Sequence, residues 1–465
     1  MNTSIGHHTF TIFKRIVSDS MLYDYRGKMT LMTKTHPARQ LYKDFHNYRD
    51  ETNEIIIYVP EKHRRYIEAV NKKIAGCSLS KPLKPRVWRI DYISDDKKGI
   101  NWFLKNNVHA PEFKEYIVEA RINPKILAGI KDYITASNDS YLEIVERRFN
   151  EEASKISKLL GKFSDYTPKR IDFCVNFDIK ELGILDAPCT PGQMMWLIKR
   201  GSFPSHFNEW TFYDKISHRR KAGKYSLYLR SGSVNINCYY KYKQLVEEFP
   251  DCPDIEKALH VIRFEIQCLY RKTRLMMLHE KKLMDEHRDR HGYIDGDFNS
   301  PIEIIKRMLS DFTAEKVINN YFNKIIKPGD YYTLKEAIKI IESENFRPDT
   351  EQLLIDTLKE INRQGIAKTR AEIVTIPAQR LFYNNLQRLA KLGINPVTIP
   401  KSFRVKHIPN LLSSFHRLRE SGDISDCYFV DPFDPLDRPF ELCYEDESDD
   451  EYIDSEYDEA DDCED

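Results

Sequence analysis

The sequence predicts an α+β protein, with an antiparallel-rich central sheet carrying helices on one face and a mostly helical C-terminal region after it. Three observations predict this. Four short runs between Arg170 and Leu269 alternate apolar and polar residues, the period of a half-buried strand. A helical stretch, Gly192–Lys199, interrupts them, as expected of a sheet covered by helices. Beyond about residue 285 the apolar spacing changes to three and four, the period of a helix.

Taken in order, residues 1–85 mix short apolar stretches with basic patches such as Lys62–Arg65 and read as an N-terminal extension or accessory region. A sheet-based domain is expected over 86–285. Trp88, Ile90 and Tyr92 alternate with Arg89 and Asp91, and Tyr116–Ile122 forms a second strand ahead of the Asn123–Pro124 turn. Leu142, Val145, Phe149, Ala153, Ile156 and Leu160 then mark one face of a charged helix. The strongest strands are Ile171–Phe177, Tyr225–Arg230, Val234–Tyr240 and Ile262–Cys268. A helical domain follows over 286–420, with helices at 303–327, 334–344 and 350–364 and a break at Pro328–Gly329. A further helix begins at Pro377 and stops at Gly393 and Pro396, in a size range that suits a helix–turn–helix unit. Residues 421–465 are expected to be an acidic, disordered tail.

The zero formal charge conceals a strong asymmetry. Residues 441–465 hold 15 acidic residues and no Lys or Arg, leaving 72 basic against 57 acidic side chains in the body. A body near +15 attracts a phosphate backbone, and an acidic tail can compete for the same surface. No apolar run reaches the roughly 18 residues of a membrane span, and no secretory signal is visible. Nine cysteines without tight pairing suit a reduced compartment better than a disulfide framework. A Gly-x-x-x-x-Gly-Lys-Ser/Thr run is lacking, so no ATP site is implied.

Strand parity places candidate chemistry on one face. Ile171, Phe173, Val175 and Phe177 oppose Asp172, Cys174, Asn176 and Asp178; Val234, Ile236, Cys238 and Tyr240 oppose Asn235, Asn237, Tyr239 and Lys241. Ile262, Phe264, Ile266 and Cys268 likewise leave Arg263, Glu265 and Gln267 opposite. If the polar faces align, Asp172, Glu265, Tyr239, Lys241 and Arg263 converge. Asp172 and Glu265 then offer hard oxygen ligands to Mg²⁺ or Mn²⁺. Tyr239 is a candidate nucleophile, poor while protonated, whose phenolate metal proximity or a cationic Lys241 would favour, and Arg263 can hold a nonbridging phosphate oxygen. The structural reading of the same residues is ion pairing of Asp172 and Glu265 with Arg170, Arg263 or Lys241, and packing of one tyrosine among 27. Tyr213, Tyr228, Tyr240 and Tyr242 remain other tyrosines of interest.

Several segments, in order, resemble the filamentous-phage gene II type of replication initiation protein and, more distantly, plasmid and conjugative-element rolling-circle initiators. They are Val118–Leu127, Arg170-Ile171-Asp172, Asn237-Cys238-Tyr239-Tyr240-Lys241 through Gln244-Leu245, Ile262-Arg263-Phe264-Glu265, Val374-Thr375-Ile376-Pro377, Phe382-Tyr383, Leu389 and Leu392-Gly393-Ile394. The resemblance spans roughly residues 115–400. It implies an initiator nuclease fold and a metal-dependent endonuclease and strand transferase. Tyr239 would be the nucleophile with Lys241 beside it, and Asp172 and Glu265 the metal ligands. It also implies origin DNA recognised as duplex and cut as single strand, host polymerase and helicase as partners, a prokaryotic cytoplasm and no membrane, with dimer formation open.

The sequence departs from that pattern in lacking a His-hydrophobic-His metal pair. His7–His8 read as terminal polar residues outside the sheet, His218 is the isolated histidine to watch as a third ligand, and Gln244 stands where related chains often carry Glu. Two other functions fit the same features: a noncatalytic origin-binding or copy-control protein, and a structural or packaging protein with nonspecific DNA affinity. Hydrolysis by water in place of tyrosine is a further enzymatic variant.

Overall fold

The computed structural model describes residues 5–16, 21–23, 29–31, 37–48, 54–58, 89–93, 98–106, 116–130, 132, 134–180, 189–201, 208–209, 212–214, 219–221, 223–291 and 301–411. Lys62–Arg65, Trp88, His206, His218 and the acidic tail lie outside them. Ten of the described strands form one antiparallel sheet. In chain order they are β1 (Ile5–Ile16), β2 (Glu54–Tyr58), β3 (Arg89–Ile93), β4 (Ile100–Asn106), β5 (Tyr116–Ile122), β6 (Thr167–Asp178), β7 (Asn208–Glu209), β8 (Ser226–Arg230), β9 (Val234–Tyr240) and β10 (Val261–Cys268). Across the sheet the order is β2-β3-β4-β5-β1-β6-β10-β9-β8-β7.

Within the region expected as an N-terminal extension, β1 is a central strand lying between β5 and β6. One irregularity within β1 hides this strand from a period-two reading. His8 is an extra residue in the pairing between His7 and Thr9, and the β6 register shifts again between Thr11 and Ile12. On either side of the bulge the chain still alternates, and Phe10 and Ile12 enter the core.

Helices cover the apolar face, as the sequence predicts. The helix α1 (Leu142–Ile156) buries Leu142, Val145, Phe149, Ala153 and Ile156, and Phe149 meets Trp102 of β4 at 5.2 Å between ring centroids. The expected helix over 303–327 is two helices, α2 (Pro301–Met308) and α3 (Asp311–Ile326), because Ser310 caps the second through Thr313 N. Phe322 of α3 stacks on Phe177 of β6 at 5.0 Å and meets Phe264 of β10 edge-on at 5.1 Å. Burying such a ring contributes about 2–3 kcal/mol. The residues expected to open a separate helical domain therefore complete the sheet's core.

A second core begins further on. α4 (Leu334–Ser343), α5 (Pro348–Gln364), α6 (Ile366–Glu372) and α7 (Ile376–Lys391) follow one another. Ala337, Ile341, Leu354, Ile355, Leu358, Leu389 and Ile394 form an apolar cluster of their own. Gly365 ends α5 with φ +84°, a conformation that favours glycine and lets α6 leave at once. No helix among the described residues is long and apolar enough to cross a membrane.

Candidate active site

On the face opposite α3, cross-strand registry produces three ranks of polar residues. Asp172 of β6, Gln267 of β10 and Asn235 of β9 form the first, and Cys174, Glu265 and Asn237 the second. Asn176, Arg263 and Tyr239 form the third. The expected parity of all three strands is therefore observed. Asp172 and Glu265 do not face each other; they are diagonal neighbours, typically about 7–8 Å apart along the backbone.

Lys241 reaches the cluster by another route. The strand ends at Tyr240, and Lys241 opens a helix, Lys241–Glu248, rather than continuing the polar face of β9. Its Nζ still lies 5.9 Å from the Tyr239 ring centroid and donates to Gln244 Oε1 at 2.6 Å. Gln244 thus supplies a neutral acceptor where a carboxylate was the expectation. Tyr240 does not turn into the core as predicted; it is half-buried, and its hydroxyl donates to the Leu259 carbonyl.

The cluster is almost sealed, and Tyr239 is only 7% exposed. Its hydroxyl donates to Glu265 Oε2 at 3.4 Å. Gln267 Nε2 and Asn237 Nδ2 donate to the other Glu265 oxygen at 2.9 and 3.5 Å. Arg263 is fully buried: Nε donates to Asn176 Oδ1 at 2.8 Å, Nη2 donates to the Ile134 carbonyl, and Nη1 has no hydrogen-bond acceptor among the described residues. Asn176 Nδ2 donates to the same Ile134 carbonyl, so the segment around Ile134 covers this end of the face.

Burial pushes the Tyr239 phenol well above the ordinary tyrosine range; Glu265 adds to that shift and Arg263 opposes it. Burial brings Lys241 down to about 7, with Arg263 pushing the same way and Glu265 resisting. For Arg263, burial disfavours the charge, and the Glu265 carboxylate is among the neighbours that favour it. The result is a fixed cation beside a neutral phenol.

His8 is the residue that sequence reasoning missed. Its position at the β1 bulge puts it near Asp172, Arg263, Lys241 and Lys125. Burial, followed by Arg263 and Lys241, holds its imidazole well below the usual histidine range. The histidine doublet beside the alternating Thr9-Phe10-Thr11-Ile12 was the available signal, and the bulge breaks the rule that would have read it. His7 turns the other way, into the core against Phe10.

The two carboxylates do not fit a divalent cation as they stand. Asp172 accepts from Arg170 Nε at 2.7 Å and Nη2 at 3.0 Å, and from Thr9 Oγ1. This is the ion pair of the structural reading. Both Glu265 oxygens are also engaged, and no three His, Cys, Asp or Glu side chains gather as a metal group among the described residues. Arg263, in the rank beyond Glu265, supplies buried positive charge to this face.

No family model matches the chain, and no curated protein matches it in sequence. Among solved structures, a rolling circle replication initiator protein from Geobacillus stearothermophilus aligns with it at 8% identity and a TM-score of 0.24, covering 66% of this chain and 92% of that one. A superposition this loose transfers no residue role.

Proposed function

We propose that this chain initiates rolling-circle replication by nicking one DNA strand at an origin, with Tyr239 as the attacking residue. The observation that carries this reading is the convergence of Tyr239, Glu265, Lys241 and a buried Arg263 with an unsatisfied Nη1 on one polar sheet face. Arg263 Nη1 is a preformed donor for a nonbridging phosphate oxygen. The Tyr239 proton passes to Glu265, its nearest acceptor. The Oη–P bond forms as the P–O3′ bond breaks, and the leaving 3′ oxygen takes that proton back from Glu265. One strand is left as a 5′-phosphotyrosine and the other as a 3′-hydroxyl for the host polymerase. Cationic Lys241 favours the developing phenolate and phosphate charge.

The 7% exposure of Tyr239 supports a second reading, a noncatalytic origin-binding protein in which the network only holds the sheet together. One experiment separates the two. The full chain is incubated with labelled single-stranded fragments of its own DNA element, in Mn²⁺ and in EDTA, and denaturing gels are read for a protein–DNA adduct. Nicking predicts an adduct that Tyr239→Phe abolishes while DNA binding persists. No adduct from the folded wild type, or an undiminished one in the variant, would sink Tyr239 as nucleophile. An adduct confined to the Mn²⁺ arm would show that the carboxylates rearrange around the ion.

A further inference from the structure

The C-terminal helix α7 presents an outward stripe that its own core does not use. Phe382, Asn385 and Leu389 face inward, and Asn385 Nδ2 donates to Thr357 Oγ1 of α5 at 3.0 Å, which fixes the rotation of the helix. The opposite side carries Ile376, Arg380, Asn384, Gln387 and Lys391, all exposed and spaced by four, four, three and four residues. Short α6 precedes it across the turn Ile373–Thr375, the element order of a helix–turn–helix.

Charge is segregated in the same direction. α7 contains no Asp or Glu, and Lys368, Arg370, Arg380, Arg388 and Lys391 on the α6–α7 pair face a single acid, Glu372. The preceding α5 instead carries Asp349, Glu351, Asp356 and Glu360 against Lys359 and Arg363. Val374 and Ile376 beside the turn are 87% and 65% exposed, high values for residues that a monomer would bury.

We infer that α7 is the reading helix for duplex DNA, entering the major groove with Arg380, Asn384 and Gln387 against base edges. Arg pairs with the acceptor edge of guanine, and Asn and Gln with the mixed edge of adenine, so the stripe bears the side chains that groove reading requires. Exposed Val374 and Ile376 suit thymine methyl groups and sugars. Lys368, Lys391 and Arg388 lie where phosphates flank the groove. Sixteen residues at about 1.5 Å each give a helix near 24 Å, enough to span the groove's width of about 12 Å. The inference deepens the proposal above by supplying its recognition step.

The test uses the full chain and a pool of random-sequence duplexes, from which bound species are selected and the enriched duplex is measured by fluorescence anisotropy. The wild type enriches one duplex motif. Asn384→Ala and Gln387→Ala each lose about tenfold or more on it and change little on a scrambled duplex. Arg380→Lys keeps the scrambled affinity and loses selectivity. These residues point outward, so circular dichroism stays unchanged. No enriched motif, or alanine variants that bind it as the wild type does, overturns the inference. Tyr239→Phe serves as the independent arm: it keeps duplex selection and loses the adduct. Loss of duplex selection with adduct formation intact removes α7 alone, and the reverse pattern removes the nicking reading alone.

Discussion

The polar face of the sheet and the outward face of α7 both gather Arg, Lys and Asn side chains, yet they treat charge in opposite ways. On the sheet, Arg263 is fully buried and Lys241 and Asp172 are nearly so, each held by named partners. On α7, Arg380, Asn384 and Lys391 stand in solvent. Removal from water makes the sheet's charges strong, fixed and expensive to disturb, whereas α7's charges are screened and interchangeable in stability terms. The first arrangement suits bond chemistry and the second suits recognition.

Replacing Arg263 with Leu gives the largest expected effect. Asn176 Oδ1 and the Ile134 carbonyl would lose a donor, and Glu265 would lose its buried counter-charge. Breaking such a pair costs about 3–5 kcal/mol, read as a drop in the urea midpoint at constant m-value. Arg380→Leu on α7 should stay within about 0.5 kcal/mol. Equal losses at the two sites would erase the contrast.

The legibility of these regions in the sequence follows from how regular their backbones are. β9, β10 and residues 170–178 of β6 alternate without interruption, so parity puts Asp172, Tyr239, Arg263 and Glu265 on one face. β1 carries a bulge at His8, and one extra residue moves every later side chain to the other face, which hid a central strand and a histidine. Lys241 was assigned to the right cluster for the wrong reason, since a helix start brings it there. The period of α7 was readable from Pro377 to Gly393. The meaning of its outward stripe required knowing that Phe382, Asn385 and Leu389 turn inward.

Acid should act on the sheet alone. Burial brings His7 down from 6.5 to about 4, so between those values the unfolded chain takes up a proton that the folded chain refuses. Stability from this group is intact above pH 6.5 and is lost as pH falls toward 4, by on the order of 3 kcal/mol. His7→Phe should reduce the slope of the urea midpoint across that window, with buried His8 still contributing in the same direction. An unchanged acid slope in the variant would show that another group drives the loss. α7 contains no histidine and contributes nothing there.

Lys241 gives the finest distinction between the regions, because its charge is both buried and titratable near neutrality. Its folded pKa of about 7 lies below its ordinary 10.5, so the cost of burying the cation is fully present below pH 7. That cost is relieved as pH rises toward 10.5, and stability from this group rises with it. Adduct formation should move the other way, since deprotonation removes the charge that favours the Tyr239 phenolate. At subsaturating DNA the rate should fall through an apparent pKa near 7, by about tenfold per pH unit on the alkaline side. Lys241→Arg keeps a permanent cation at the helix start and should carry activity past pH 8, with that alkaline limb gone. Duplex binding through α7 should stay flat over the same range, because Arg380 does not titrate there. If adduct formation and duplex binding fall together in the wild type and in the arginine variant, the pH effect belongs to DNA binding and not to Lys241.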